Sequence, residues 1–193
     1  MLMQRDKDVL RWVEHYGAIT LKQATTLFFN EIYKSASRRL NQLEENKFIK
    51  SYISKSKKEK VYYLDKKVSD HRLYIYDYIR ELKRLNCEVI DIEIEPQYLD
   101  GAIRPDAYVT FKSDGYKYIT LLEVDFTHYT SNSKLNTLYE KLYEERDKYR
   151  EFSGTFPIVV IARPTPGIRY NSNNFEVVYT GLDYANLPQL LLD

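Results

Sequence analysis

Three carboxylates in the second half of the chain have the type and spacing to do chemistry. Asp106 follows Arg104-Pro105 at the head of one apolar stretch, and Glu123-Val124-Asp125 closes the next. Side chains two apart on a strand project from one face, so Glu123 and Asp125 are expected to look out together. A neighbouring strand would bring Asp106 to the same rim. Three hard oxygen donors there suit a hard divalent cation such as Mg2+ or Mn2+. Without an ion such acids repel one another, and at least one is expected to hold its proton more tightly. Carboxylates at strand ends also cap helices, pair with cations or stand in solvent. His128 lies near the cluster, but His15, His71 and His128 show no metal-ligand spacing. No glycine-rich phosphate loop is present, which argues against nucleotide hydrolysis.

A second set of side chains, in the first half, has the chemistry to meet a polyanion. Residues 1–68 hold 15 Lys/Arg against 8 Asp/Glu, a charge of +7; residues 69–193 hold 14 against 20, a charge of −6. The overall +1 hides this split, and only the basic part is suited to nucleic acid. A helix expected from about Tyr33 to Asn46 puts Ala36, Leu40 and Leu43 on one face. Lys34, Ser35, Ser37, Arg38, Asn41 and Gln42 fall on the other, and Arg39 adjoins them. Such side chains reach phosphates and base edges when a helix lies in a major groove. Lys55, Lys57, Lys58 and Lys60 cluster in the polar stretch that follows, where they would add salt-dependent affinity for a phosphate backbone.

The elements that must position these residues follow from periodicity. Apolar residues over 5–16 recur at helical spacing until Gly17, and Thr20 is placed to cap a second helix, Leu21 to about Phe29. After the third helix, strands over Phe48–Ile53 and Val61–Leu64 enclose the lysine-rich turn. Three helices and a hairpin are the order of a winged helix-turn-helix. A helix over His71–Leu85 opens the second half. Ile90, Ile92 and Ile94 alternate with Asp91, Glu93 and Glu95, as on a half-buried strand. Strands over Arg104–Phe111 and Tyr116–Phe126 flank the turn Ser113-Asp114-Gly115. A long helix is expected from Ser131 or Ser133 to Phe152, with Leu135, Leu138, Leu142 and Tyr149 inward. An interior strand Phe156–Ala162, a turn at Pro164–Gly167, an edge strand Phe175–Tyr179 and a closing helix over Leu182–Leu192 complete the chain. The expected domains are 1–68 and 69–193.

This order resembles the PD-(D/E)XK nuclease superfamily: an αβββαβ core with a mixed sheet, here behind a winged helix, giving an α+β or α/β chain. From about Gly17 to Ala162 it resembles more closely the plasmid replication-relaxation proteins. The residues that carry this are Leu21-Lys22-Gln23-Ala24 before Leu27-Phe28-Phe29, His71, and Arg104-Pro105-Asp106-Ala107. Glu123-Val124-Asp125 with Thr127, then Lys141 and Tyr149, complete the set. The resemblance implies catalytic and metal-binding roles for Asp106 and Glu123. It also implies a lysine two residues after the Glu, where this chain has Asp125. Lys141 on the long helix is the first candidate to supply that charge, and Lys134 the second.

The expected function is therefore recognition of an origin-type site on double-stranded DNA, supporting plasmid replication or conjugative mobilisation. Replication or relaxosome proteins are the expected partners, and the second half is a nuclease-like platform. An active metal-dependent endonuclease or nickase is the alternative; a non-catalytic assembly module is the third. A single cysteine excludes an intrachain disulfide. The absence of an export signal or long apolar run points to the cytoplasm and away from membranes.

Overall fold

The computed structural model describes residues 2–165 and 169–191 of a mixed α+β chain. Contacts divide it into two compact units, Met1–Arg84 and Leu85–Asp193. The division falls after the helix α4 (Asp70–Arg84), not at the 68/69 charge boundary. Charge composition marks a change of partner, whereas packing marks a unit. Gln23 is fully buried and donates from Nε2 to the Leu73 carbonyl at 2.8 Å and to Asp77 Oδ1 at 3.0 Å, which binds α4 to the first unit. No helix among the described residues is long and apolar enough to cross a membrane.

In the first unit, α1 (Gln4–Tyr16) buries Val9 and Val13. It ends at Gly17, whose φ of 91° lets its N–H return to the Val13 carbonyl at 2.8 Å. The short strand β1 (Ala18–Thr20) follows directly; three residues are too few for alternation to be read. Thr20 then caps α2 (Leu21–Phe28): its Oγ1 accepts from Gln23 N–H, and Gln23 Oε1 accepts from Thr20 N–H. The helix α3 (Tyr33–Glu45) buries the expected Ala36, Leu40 and Leu43. Strands β2 (Lys50–Ile53) and β3 (Lys60–Tyr63) form a hairpin, and β1 adds to β3, giving an antiparallel sheet ordered β1-β3-β2. Tyr62 on the central strand joins Val9, Val13, Phe29 and Leu40 in one core.

The second unit is built on a five-stranded mixed sheet ordered β4-β5-β6-β7-β8. Its strands are β4 (Glu88–Ile94), β5 (Ala107–Ser113), β6 (Tyr116–Val124), β7 (Ile158–Ala162) and β8 (Val177–Thr180). The first three run antiparallel; β6, β7 and β8 run parallel. Asp114 and Gly115, both at positive φ, form the tight turn between β5 and β6. The even alternation expected of β4 is broken by a bulge between Val89 and Asp91, which leaves Ile90 exposed. Tyr108, Leu121, Val159 and Ile161 pack with Leu135, Tyr139, Leu142 and Phe152 on one face.

The long helix expected from Ser131 to Phe152 is a broken run. It opens as α5 (Asn132–Lys134), widens to a π-turn over Leu135–Tyr139, tightens again as α6 (Glu140–Glu144) and ends in two 3-10 turns. Of the turn expected at Pro164–Gly167, Pro166 and Gly167 lie outside the described residues, as does Leu192 of the closing helix. That helix, α7, spans Leu187–Leu191.

Candidate functional site

On the first unit, the structure divides the nominated DNA-contacting residues into two groups. Lys34 and Arg38 on α3, and Lys55 and Lys58 in the turn between β2 and β3, stand exposed, with Ser37 half-buried beside them. The others are committed inside the unit. Arg39 grips Asp6, donating from Nε to Oδ1 at 2.6 Å and from Nη2 to Oδ2; its Nη1 donates to Gln42 Oε1 at 2.9 Å. The Arg39 hydrogen bonds outweigh burial and hold the Asp6 carboxyl below the usual aspartate range. Lys60 donates to Glu44 at 2.6 Å and to Asn41 Oδ1 at 3.1 Å, and Tyr62 OH also donates to Asn41. Lys57 is the largest departure. It is paired with Asp77 of α4 at only 8% side-chain exposure and lies 4.2 Å over the Tyr74 ring.

This burial changes what the turn does. Ser54 and Ser56 hydroxyls donate to Asp70 at 2.7 and 2.6 Å. Burial raises the Asp70 carboxyl, but those hydrogen bonds overcome it and the net shift is downward. With Lys57 fastened to Asp77, the lysine-rich tip is folded onto α4, and of its lysines Lys55 and Lys58 stand fully in solvent while Lys60 is half-buried. A run of lysines does not reveal which one lies opposite a buried carboxylate.

On the second unit, strand register brings the three acids to one end of the sheet. Asp106 N–H donates to the Leu122 carbonyl at 2.8 Å, and its Oδ2 accepts from Val124 N–H at 2.6 Å. Glu123 lies opposite Ile161, and Asp125 N–H continues the ladder to the Ala162 carbonyl at 2.7 Å. Alternation turns Glu123 and Asp125 to the same side, as expected, and Thr130 Oγ1 touches both, at 3.4 and 2.8 Å.

Each acid nevertheless has its own protein partners. Glu123 Oε1 accepts from Lys134 Nζ and from Tyr139 OH, both at 2.5 Å. Asp125 Oδ1 accepts from Thr130 N–H at 2.7 Å, and its Oδ2 faces Arg163 Nη2 at 2.8 Å, as a charge pair outside good hydrogen-bond geometry. Arg104 pairs with Glu95 at 3.0 Å.

Burial pushes the Glu123 carboxyl above its ordinary range, against the pull of the Lys134 ammonium and the Tyr139 hydroxyl, and nearby Asp106 pushes it further up. Burial and the Glu123 charge likewise hold the Tyr139 proton firmly. The arrangement is a buried carboxylate gripped by an ammonium and a phenol. Among the described residues no group of three or more His, Cys, Asp or Glu is gathered as a metal site. A divalent ion at Glu123 would have to displace Lys134 and Tyr139, and at Asp125 it would meet Arg163. As placed, these residues do not fit one.

Lys141, the first choice for a catalytic lysine, is exposed, while Lys134 makes the contact. The π-turn explains the difference. At about 100° per residue in an α-helix, positions 134 and 139 would diverge by roughly 140°. The i→i+5 bonding of the π-turn, seen where Glu140 N–H meets the Leu135 carbonyl, brings residues five apart to one side. Tyr139, Thr130 and Arg163 carried no signal in the sequence, since each matters only through a partner from another element. Compared with protein-family models, curated proteins and solved structures, the chain finds no match.

Proposed function

We propose that this chain is a double-stranded DNA-binding protein that docks through the α3 face and the β2–β3 turn of its first unit. The observation that carries the reading is the pattern of cations. After Arg39, Lys57 and Lys60 are committed to Asp6, Asp77 and Glu44, Lys34, Arg38, Lys55 and Lys58 stay exposed. Lys34 and Arg38 are one helical turn apart and so share a side of α3. The element order helix, strand, two helices and a hairpin supports reading this unit as a winged helix with α3 as the recognition helix. The mobile-element setting, with replication or mobilisation as the process served, rests on the resemblance of residues 17–162 to plasmid replication-relaxation proteins.

The second unit serves, on this reading, as a nuclease-like platform that does not cut. Its strand order and acid positions support the likeness, and the engagement of Glu123 by Lys134 and Tyr139 and of Asp125 by Arg163 supports the loss of cleavage. The test is duplex binding across a salt series. Each phosphate contact contributes a slope of roughly 0.9 in log K against log salt, so Lys34→Ala, Arg38→Ala and Lys58→Ala each flatten the line. Binding that is insensitive to salt, or unchanged in the triple variant, overturns the reading. Mg2+-dependent cutting that disappears in Asp106→Ala and Glu123→Ala would overturn the non-cutting role.

A further inference from the structure

A cavity of about 230 Å³ opens at the carboxyl ends of the parallel strands β7 and β8, lined by Arg163, Thr165, Arg169, Tyr179, Thr180 and Asn186, among others. In open sheets with parallel strands, this end is where ligands are taken. Among the described residues the lining holds two guanidinium groups and no carboxylate. Arg163 and Arg169 lie 4.9 and 5.6 Å from the centre of the same ring, Tyr179, so two positive charges share one small space. Arg163 is 8% exposed, and its Nε has no hydrogen-bond partner among the described residues. A buried charged donor without an acceptor is costly. Asp125 meets Arg163 only through Nη2, and Thr130 O accepts from that same nitrogen at 3.4 Å.

We propose that this cavity binds a phosphate-class dianion, either free inorganic phosphate or the terminal phosphate of a nucleotide chain. A tetrahedral dianion offers acceptors to both guanidiniums at once, in the paired geometry arginine favours. It accepts from the guanidinium groups that line the cavity and relieves the repulsion between the two cations, while Asp125 holds Arg163 at Nη2. The proposal stands apart from duplex binding, because the pocket lies wholly within the second unit.

The experiment is calorimetric titration of the full chain with inorganic phosphate, with a 5′-phosphorylated trinucleotide, and with its 5′-hydroxyl twin. The expected result is binding of a phosphate-bearing probe but not of the hydroxyl twin, weakened about tenfold or more in Arg169→Ala. Lys117→Ala, a surface cation at the start of β6, leaves it unchanged. Stronger binding of the phosphorylated trinucleotide than of phosphate assigns the pocket to a nucleic-acid end; equal binding assigns it to free phosphate. Equal competition by acetate, an unaltered Arg169→Ala, or no heat from either phosphate probe at millimolar concentration overturns the proposal. Circular dichroism of Arg169→Ala, whose side chain is exposed, separates lost binding from lost fold.

Discussion

Lys57 and Lys58 are adjacent and chemically identical, yet their surroundings give them opposite roles. Lys57 lies against Asp77, which also holds Arg80 at 3.1 Å; Lys58 is exposed. Asp77 keeps Arg80 and Gln23 but loses its ammonium partner, so Lys57→Ala should cost about 2 kcal/mol in a denaturant melt. Lys58→Ala should leave the melt within about 0.5 kcal/mol and instead reduce the salt slope of DNA binding. Asp6 carries a pH dependence of definite sign. Its folded-state carboxyl is lowered by Arg39, so its contribution is present above the unfolded aspartate value and disappears as pH falls through the folded one. Asp6→Asn should be less stable than the native chain by about 2 kcal/mol at neutral pH. In melts taken at successively lower pH, that gap should close below about pH 4.

Among the elements, the π-turn over Leu135–Tyr139 is the one whose geometry the candidate site depends on. One extra residue in the turn brings Lys134 and Tyr139 together on Glu123, while Leu135 and Tyr139 stay in the core. Inserting one alanine after the exposed Asn136 puts a second extra residue into the turn and should rotate everything beyond it by about 100°. Tyr139 then leaves Glu123, and a buried carboxylate loses a donor. The insertion should lower the melting midpoint by several degrees, whereas Asn136→Ala, which keeps the length, should shift it little. Equal melting of the two variants would show that the π-turn does not position Tyr139. The bulge in β4 works on the same principle in reverse: one irregular residue moves Ile90 out of the pattern its neighbours keep.

For the whole molecule, the compact units part after Arg84, and α4 completes the first. Gln23, Tyr76 and Lys57 all find partners across that helix: Leu73 and Asp77 for Gln23, Tyr16 for Tyr76, and Asp77 for Lys57. A fragment of residues 1–84 should therefore unfold cooperatively and retain duplex binding. A fragment of residues 1–68 should not, because Gln23 and Lys57 lose every partner that α4 supplies. Urea melts of the two fragments, followed by circular dichroism, decide this: a cooperative transition in the shorter one would restore the boundary at the charge split.

Much of this chain can be read without coordinates. The first four helices, the hairpin around the lysines and the meander through Asp106 and Glu123 follow from periods of 3.6 and 2 and from Gly17 and Asp114-Gly115, whereas the broken run after Ser131 and the parallel pairing of β7 with β8 do not. These periods and turn residues are local signals, carried by residues a few positions apart. What only the tertiary structure decided is which charges are spent. Arg39 and Lys57 read as DNA contacts until Asp6 and Asp77 appear opposite them. Asp125 reads as a metal ligand until Arg163 does, and Lys134 rather than Lys141 meets Glu123. A charge's role depends on the charge that faces it and on the water excluded between them. Both are properties of residues brought together from distant parts of the chain.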